Sequence, residues 1–252
     1  MSNQVPANQA SAHEAPSAPA GQESIEVERK YDVAWDAVVP AEFADAELEV
    51  AERVEHRMVA RYFDTRDGAL GKQRVAVRVR EGGSDAGWHL KEKNELGARE
   101  LGWPPAAEMP AGLVHEIRAR IGEAADEVIA IAEIATTRVA IRLTDTVGND
   151  RIELADDRVV ARDERAGVTR AWREWEAESI AADGAAGIAA LDALEPVLLA
   201  AGASVSPSFA KIARAAGQLA AIAQAQGAPT ALVEKLTAMD QADQEAARRL
   251  DA

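Results

Sequence analysis

SIEVERKYDV, residues 24–33, has the alternation of a β-strand. Successive side chains of a strand point to opposite faces. Ile25, Val27, Arg29 and Tyr31 therefore share one face, and Glu26, Glu28 and Lys30 share the other. Two carboxylates held side by side repel each other. A strand that keeps them in a row must face water or a bound cation.

The same two-faced pattern recurs along the chain. Strand-like segments fall at 25–33, 55–64, 73–81, 88–93, 99–103, 131–143, 150–155, 157–164 and 169–179. Turn-forming stretches RDGALGK, EGGSDAG, DTVGND and ERAG separate them. Helical spacing predicts short helices near 110–122 and 187–201, and another beyond Pro207.

In the strands, Val75, Val77 and Val79 oppose Arg74, Arg78 and Arg80. Trp88 and Leu90 oppose Lys91 and Lys93. Val139, Ile141 and Leu143 oppose Arg138 and Arg142. Ile152 and Leu154 oppose Arg151, Glu153 and Asp157, and Trp175 and Ala177 oppose Glu174, Glu176 and Glu178. For any one strand the simplest reading is a half-solvated sheet with its charged face in water. Here, however, the charges are sorted by strand. Segments 73–81 and 88–93 are basic on the charged face, 169–179 is acidic, and the first strand is mostly acidic. Like neighbours cost energy, so a solvated face tends to mix signs. Arginine rows suit bidentate phosphate contacts, and glutamate rows suit a hard cation such as Mg²⁺ with oxygen ligands. The rows meet if the sheet curls into a barrel with its charged face inward. Helices would then cover the apolar outer face.

Composition narrows the alternatives. The chain has 252 residues, 48% hydrophobic and 28% charged, with a net charge of −15. Such an acidic chain is poorly suited to sequence-independent binding of nucleic acid or an anionic membrane. No cysteine is present, so disulfides and thiolate zinc sites are excluded, and the four histidines show no metal-ligand spacing. No apolar run reaches the roughly 18 residues of a membrane span, and the N-terminus lacks the pattern of a secretory signal. The expectation is a cytoplasmic protein. Residues 1–22, rich in Ala, Pro, Gln and Ser, are expected to be a disordered tail. The body is expected over 23–215, and 216–252 is read as a helical extension or linker.

Taken in order, these residues resemble the CYTH family, the triphosphate tunnel metalloenzymes. The family includes class IV adenylate cyclases, thiamine triphosphatases and inorganic triphosphatases. The resemblance rests on E-x-E-x-K (Glu26, Glu28, Lys30), YFDT (62–65), R-x-R (Arg78, Arg80), GWHLK with Lys91, a T-R strand with Arg138, ELADDRV with Glu153 and Asp157, E-x-E (Glu174, Glu176), and K-x-A-R (Lys211, Arg214). It implies an α+β fold, an eight-stranded antiparallel β-barrel tunnel with flanking helices. It implies Glu26, Glu28 and Glu176 as metal ligands, assisted by Glu174 and by Glu153 or Asp157. Lys30, Arg78, Arg80, Lys91, Arg138 and Lys211 would grip phosphate oxygens. Lys30, Tyr62 and Lys91 carry the catalytic expectation, with Mg²⁺ or Mn²⁺ as cofactor. Lys93 stands where relatives often have an uncharged residue, and Phe209 lies in a segment usually small and polar.

The resemblance further implies hydrolysis of a small triphosphate, with inorganic tripolyphosphate favoured. The alternatives are adenylate cyclase or thiamine triphosphatase activity, or a non-catalytic triphosphate- or polyphosphate-binding module. Bacterial relatives often continue into a helical CHAD domain linked to polyphosphate. The 230–252 stretch is read as a docking surface for a partner or a second copy in a homodimer, or equally as a solvated end. Trp88 and Trp103 are expected to be packing residues, His56 and His115 surface residues, and Arg29 an outward ion-pairing residue.

Overall fold

The computed structural model describes residues 21–94 and 97–250. Its elements run β1 (Gln22–Glu26), β2 (Glu28–Asp32), β3 (Leu48–Asp64), α1 (Ala69–Lys72), β4 (Val75–Glu81), β5 (Gly87–Asn94), β6 (Gly97–Trp103), α2 (Ala111–Ile121), β7 (Ile129–Asp145), β8 (Asp150–Asp163), β9 (Val168–Ser179), α3 (Gly184–Ala200), β10 (Ser204–Val205), α4 (Lys211–Ala215), α5 (Leu219–Ala225) and α6 (Thr230–Leu250). The disordered-tail expectation lies, up to residue 20, outside the described residues.

All strands join one antiparallel sheet in the order β1-β6-β5-β4-β3-β7-β8-β9-β2-β10. Its ends, β1 and β10, are not hydrogen-bonded to each other, so the ladder is open. Yet only Val27 separates β1 from β2. The chain from Gln22 to Asp32 pairs first with β6 and then with β9, the two flanks of the rest of the sheet. It thereby draws those flanks together around a lumen. The expected eight strands become ten because this strand breaks where it changes partner, and because β10 adds two residues along β2.

A second difference lies in β8. The segments expected at 150–155 and 157–164 are one strand. Asp156 and Asp157 resemble a turn in sequence, but they point to opposite faces and each meets an arginine, the buried Arg173 and the partly buried Arg138 respectively. Arg74, expected inside a strand, precedes β4 with φ 60. Asp64 and Thr65 of the YFDT segment stay out of the lumen. Asp64 accepts hydrogen bonds from the backbone N–H groups of Thr65, Leu70 and Gly71, organising the turn that leads into α1.

The sheet is apolar outside and charged inside. On one outer face Ile141, Leu143, Ile152, Leu154 and Trp175 pack against Leu191, Leu194 and Leu198 of α3. On another, Val75, Val77, Leu90, Trp88 and Trp103 pack against Leu113 and Ile117 of α2. Covering both faces with helices removes this apolar area from water and frees the inner face for charge. One end of the lumen is apolar: Tyr62, Ile134, Val159, Ala161 and Trp172 meet Ala215 of α4 there.

The C-terminal helices return to the sheet. Leu236 of α6 is 1% exposed, in a small cluster with Leu219, Ala223 and Ala213. Arg170 of β9 ion-pairs with Asp240 of α6, so one face of this helix docks on its own chain. No helix among the described residues is long and apolar enough to cross a membrane.

Candidate functional site

The lumen holds a cavity of about 860 Å³. Alternation sends Glu28 and Lys30 into it from β2, Arg138 from β7, Glu153 from β8, and Glu176 and Glu178 from β9. Lys211, the first residue of α4, enters from the apolar end. Asp157 and Glu174, 0% and 1% exposed, do not reach the cavity wall and lie behind these cations.

The side chains on this wall interlock. Arg138 donates to both Asp157 oxygens at 2.7 Å and to Glu176 at 2.8 Å. Lys211 Nζ donates to Asp157 at 2.8 Å and stands 2.8 Å from Glu174 Oε1 and 3.4 Å from Glu176. Lys30 Nζ donates to Glu28 at 2.7 Å and also to Glu176. The second wall comprises β1, β4, β5 and β6, with Tyr62 of β3 at its edge. Lys91 bonds Glu26 and lies 3.4 Å from Glu28. Arg78 stands opposite Tyr62 and 3.6 Å from Glu100, and Arg80 bonds Asp85.

These contacts set the charge states. Burial alone would push the Glu176 carboxyl up, but Lys211, Lys30 and Arg138 outweigh it and hold it well below its ordinary value. Asp157 is likewise held low against burial by Lys211 and Arg138. Lys30, Lys91 and Lys211 are partly buried, which favours the neutral amine, yet surrounding carboxylates raise all three and keep them charged. Tyr62 is buried too, which would raise its phenol; Arg78 and Arg80 overcome this and lower it. Burial, with Glu26 and Glu28 adding to it, outweighs the attraction of Lys91 and pushes the Glu178 carboxyl up to about 7.

The expected metal-binding, phosphate-binding and catalytic residues thus surround one lumen, but they divide. Glu26, Lys91, Arg78, Arg80 and Tyr62 belong to one wall. Lys30, Arg138, Lys211, Asp157, Glu174 and Glu176 form the other, with Glu28 between them. Glu153 is peripheral, 4.0 Å from Arg138. The tightest carboxylate group is Asp157, Glu174 and Glu176, all buried, with one oxygen from each within 4.8 Å of the others. This differs from the expected leading set of Glu26, Glu28 and Glu176. An all-carboxylate donor set suits a hard divalent ion such as Mg²⁺ or Mn²⁺. Glu174 Oε1 is buried and accepts no well-aligned hydrogen bond, its nearest cation being the Lys211 amine at 2.8 Å.

Four lumen residues, His89, Glu100, Glu178 and Asp85, lie outside the expected site set, although the charged row of 169–179 already includes Glu178. His89 lies 2.5 Å from Glu100 through Nδ1, and its Nε2 lies 2.9 Å from the Asp85 carbonyl. Alternation with Lys91 and Lys93 places His89 on the charged face, and Glu100 is the register partner of Lys91. Glu178 continues the E-x-E row. Asp85 sits in the glycine-rich β4–β5 turn, where no periodicity could mark it. Lys93 also lines the cavity and donates to the Phe209 carbonyl at 2.7 Å. Trp88 and Trp103 pack in the outer cluster as expected, and Arg29 bonds Asp192 of α3 on the outside.

Similarity to known proteins follows the same outline. Two uncharacterized Mycobacterium tuberculosis proteins, one from each of two strains, are 33% identical over 215 residues, 79% of this chain. The chain spans 42% of the length of each. Among solved structures, a Bacillus halodurans protein described as a candidate adenylate cyclase aligns with a TM-score of 0.54 at 20% identity, covering 76% of this chain and 97% of that one. A Hippeastrum protein, described as a candidate adenylyl cyclase with a dominant triphosphatase activity, aligns at 0.47 and 18% identity, covering 82% of this chain and 99% of its own. A model of the CYTH domain matches residues 24–199. The chain therefore belongs to the CYTH family.

Proposed function

We propose that this protein hydrolyses a triphosphate in the lumen with the aid of a divalent metal ion, and that inorganic tripolyphosphate is its substrate. The observation that carries the reading is the meeting of three buried carboxylates, Asp157, Glu174 and Glu176, with three cations, Arg138, Lys30 and Lys211. Without a ligand these groups neutralise one another. A polyanion accompanied by a cation can replace the internal pairs, giving phosphate oxygens to the arginine and lysines and the ion to the carboxylates.

In this reading the substrate lies between the walls. Arg138, Lys30 and Lys211 bind phosphate oxygens from one side, and Arg78, Arg80 and Lys91 from the other. Water attacks the terminal phosphorus, the anhydride P–O bond breaks, and pyrophosphate leaves. Lys30 and Lys91 stay protonated, so each acts by neutralising charge on the transferring group rather than by accepting a proton. Tyr62, beside the Arg78 guanidinium, is assigned to orient the reacting phosphate or water. Glu28, Glu176, Asp157 and Glu174, with Glu26 and Glu153 at the edge, would hold the Mg²⁺ or Mn²⁺. Such an ion, when bound, supplies charge neutralisation and a polarised water.

A second reading has one observation in its favour. Trp103, Pro104 and Phe209 line the same cavity, giving apolar surface that a nucleobase or a thiamine ring could use. The substrate would then be ATP or thiamine triphosphate. Phosphate release from tripolyphosphate, ATP and thiamine triphosphate, each with Mg²⁺ or Mn²⁺, tests both readings. Tripolyphosphate binding without turnover of any of the three would favour a binding module.

A further inference from the structure

The helix α6 lies outside the span matched by the CYTH domain, yet it is tied to the lumen through buried charge. Asp240 and Asp243, three residues apart, share one face of α6. Asp243 holds Arg214 of α4 in a two-point pair, Nε to Oδ2 at 2.7 Å and Nη2 to Oδ1 at 2.9 Å, and both residues are 5% exposed. Asp240 holds Arg170 of β9, whose Nη1 donates to the Ala215 carbonyl at the end of α4 at 3.0 Å. Gly217, at φ 63, follows α4. A Cβ there would stand 2.0 Å from Arg170 Nη2, so the close approach of the arginine needs glycine.

Between them these contacts hold the C-terminal end of α4, a five-residue helix far too short to hold its own shape. Its first residue is Lys211. Its fourth, Arg214, stacks over the Trp172 ring at 4.7 Å, bonds Asp32 at 2.6 Å, and makes a longer ion pair with Glu174 Oε2 at 3.7 Å. Glu174 is also a partner of Lys211. Were Asp243 neutral, the buried Arg214 would lose its main counter-charge, and Glu174 is the nearest carboxylate beyond Asp32. Arg214 would then compete with Lys211 for it.

We infer that Asp243 and Asp240 are positioning residues: from α6 they hold α4 so that Lys211 projects into the lumen and Arg214 makes no more than its long ion pair with Glu174. The role deepens the triphosphatase reading, but its physical content, the placement of Lys211, can be measured without any substrate.

The test is Asp243→Asn in the full chain, which keeps the volume and removes the charge. The chain has six lysines, so the side-chain amine resonances of ¹⁵N-lysine-labelled protein can be followed singly, with Lys211→Arg assigning the one of interest. The expected result is that the Lys211 resonance moves in Asp243→Asn. KM for tripolyphosphate should rise about tenfold or more while kcat changes less than about threefold. Asp243→Glu should restore most of both. A lowered melting temperature with the Lys211 resonance and KM unchanged would overturn the inference and leave Asp243 a purely structural residue. If the wild-type protein turns over no triphosphate, the functional reading fails while the resonance still decides the positioning role. If Asp243→Asn does not fold, Asp240→Asn, which leaves the Arg214 pair intact, is read the same way. An unmoved Lys211 resonance in that variant overturns the inference.

Discussion

Arg138 grips Asp157 with two hydrogen bonds of 2.7 Å, in register across the β7–β8 pair, and the carboxylate is completely buried. The pair sits where an inward charged face would be most costly if left unmatched, and Lys211 approaches the same carboxylate from α4. Asp157 is thus the fixed point around which the cations of one wall are arranged.

Replacing Asp157 with Ala takes from the partly buried Arg138 and Lys211 the more deeply buried of the two carboxylates they share. Breaking one side of a buried ion pair costs about 3–5 kcal/mol. Urea unfolding at neutral pH should show a loss of that size. A loss below about 1 kcal/mol would mean that Glu174 and Glu176 suffice to hold both cations.

Glu28 stands between the two walls, bonded to Lys30 and 3.4 Å from Lys91. If it helps hold a catalytic ion, Glu28→Gln removes part of a stabilisation worth several kcal/mol, or roughly two to three powers of ten in rate. Steady-state kinetics on tripolyphosphate should show that fall in kcat, with metal-free tripolyphosphate affinity by calorimetry changed far less. Equal losses in both would remove Glu28 from the metal set.

Leu194 of α3 is fully buried in the outer cluster. Leu194→Ala should cost about 2–5 kcal/mol in chemical denaturation and leave kcat on tripolyphosphate unchanged at temperatures where the variant stays folded. A change in kcat at full folding would show that the outer layer shapes the lumen.

Asp145 closes the β7–β8 hairpin. Its carboxylate accepts from the side-chain amide and backbone N–H of Asn149, from the Val147 N–H and from Arg151. Hydrogen bonding to Asn149 comes first among the causes that lower its pKa to about 2. A carboxyl depressed in the folded state adds stability above its unfolded value and loses it as pH falls through the folded one. The contribution should therefore be present at pH 5 and fade between about pH 4 and 2. Melting curves of wild type and Asp145→Ala should differ at pH 5 and converge toward pH 2. A gap that stays constant across that range would show that the carboxylate charge is not what matters.

The sequence made the fold legible wherever period-2 alternation ran unbroken. Glu26, Glu28 and Lys30 pointed inward as read, and the charge-sorted strands met across one lumen with helices outside. Legibility failed where a single residue carries the information. Asp156–Asp157 imitates a turn because the arginines that bury the two carboxylates, Arg173 and Arg138, come from neighbouring strands. Glu100 and His89 look like isolated polar residues until strand register sets Glu100 beside Lys91 and His89 opposite Arg78. Asp240 and Asp243 look solvated on an Ala- and Gln-rich helix, because their partners Arg170 and Arg214 lie far back in the chain. Each miss is an ion pair fixed by tertiary contact, which local pattern does not encode.

The central claim is that the lumen is a metal-assisted triphosphatase site, and phosphate release from tripolyphosphate tests it most directly. Purified protein with Mg²⁺ or Mn²⁺ should release phosphate from tripolyphosphate faster than from ATP or thiamine triphosphate, and chelation of the metal should stop it. No release from tripolyphosphate under any metal condition, with the protein folded, would contradict the account.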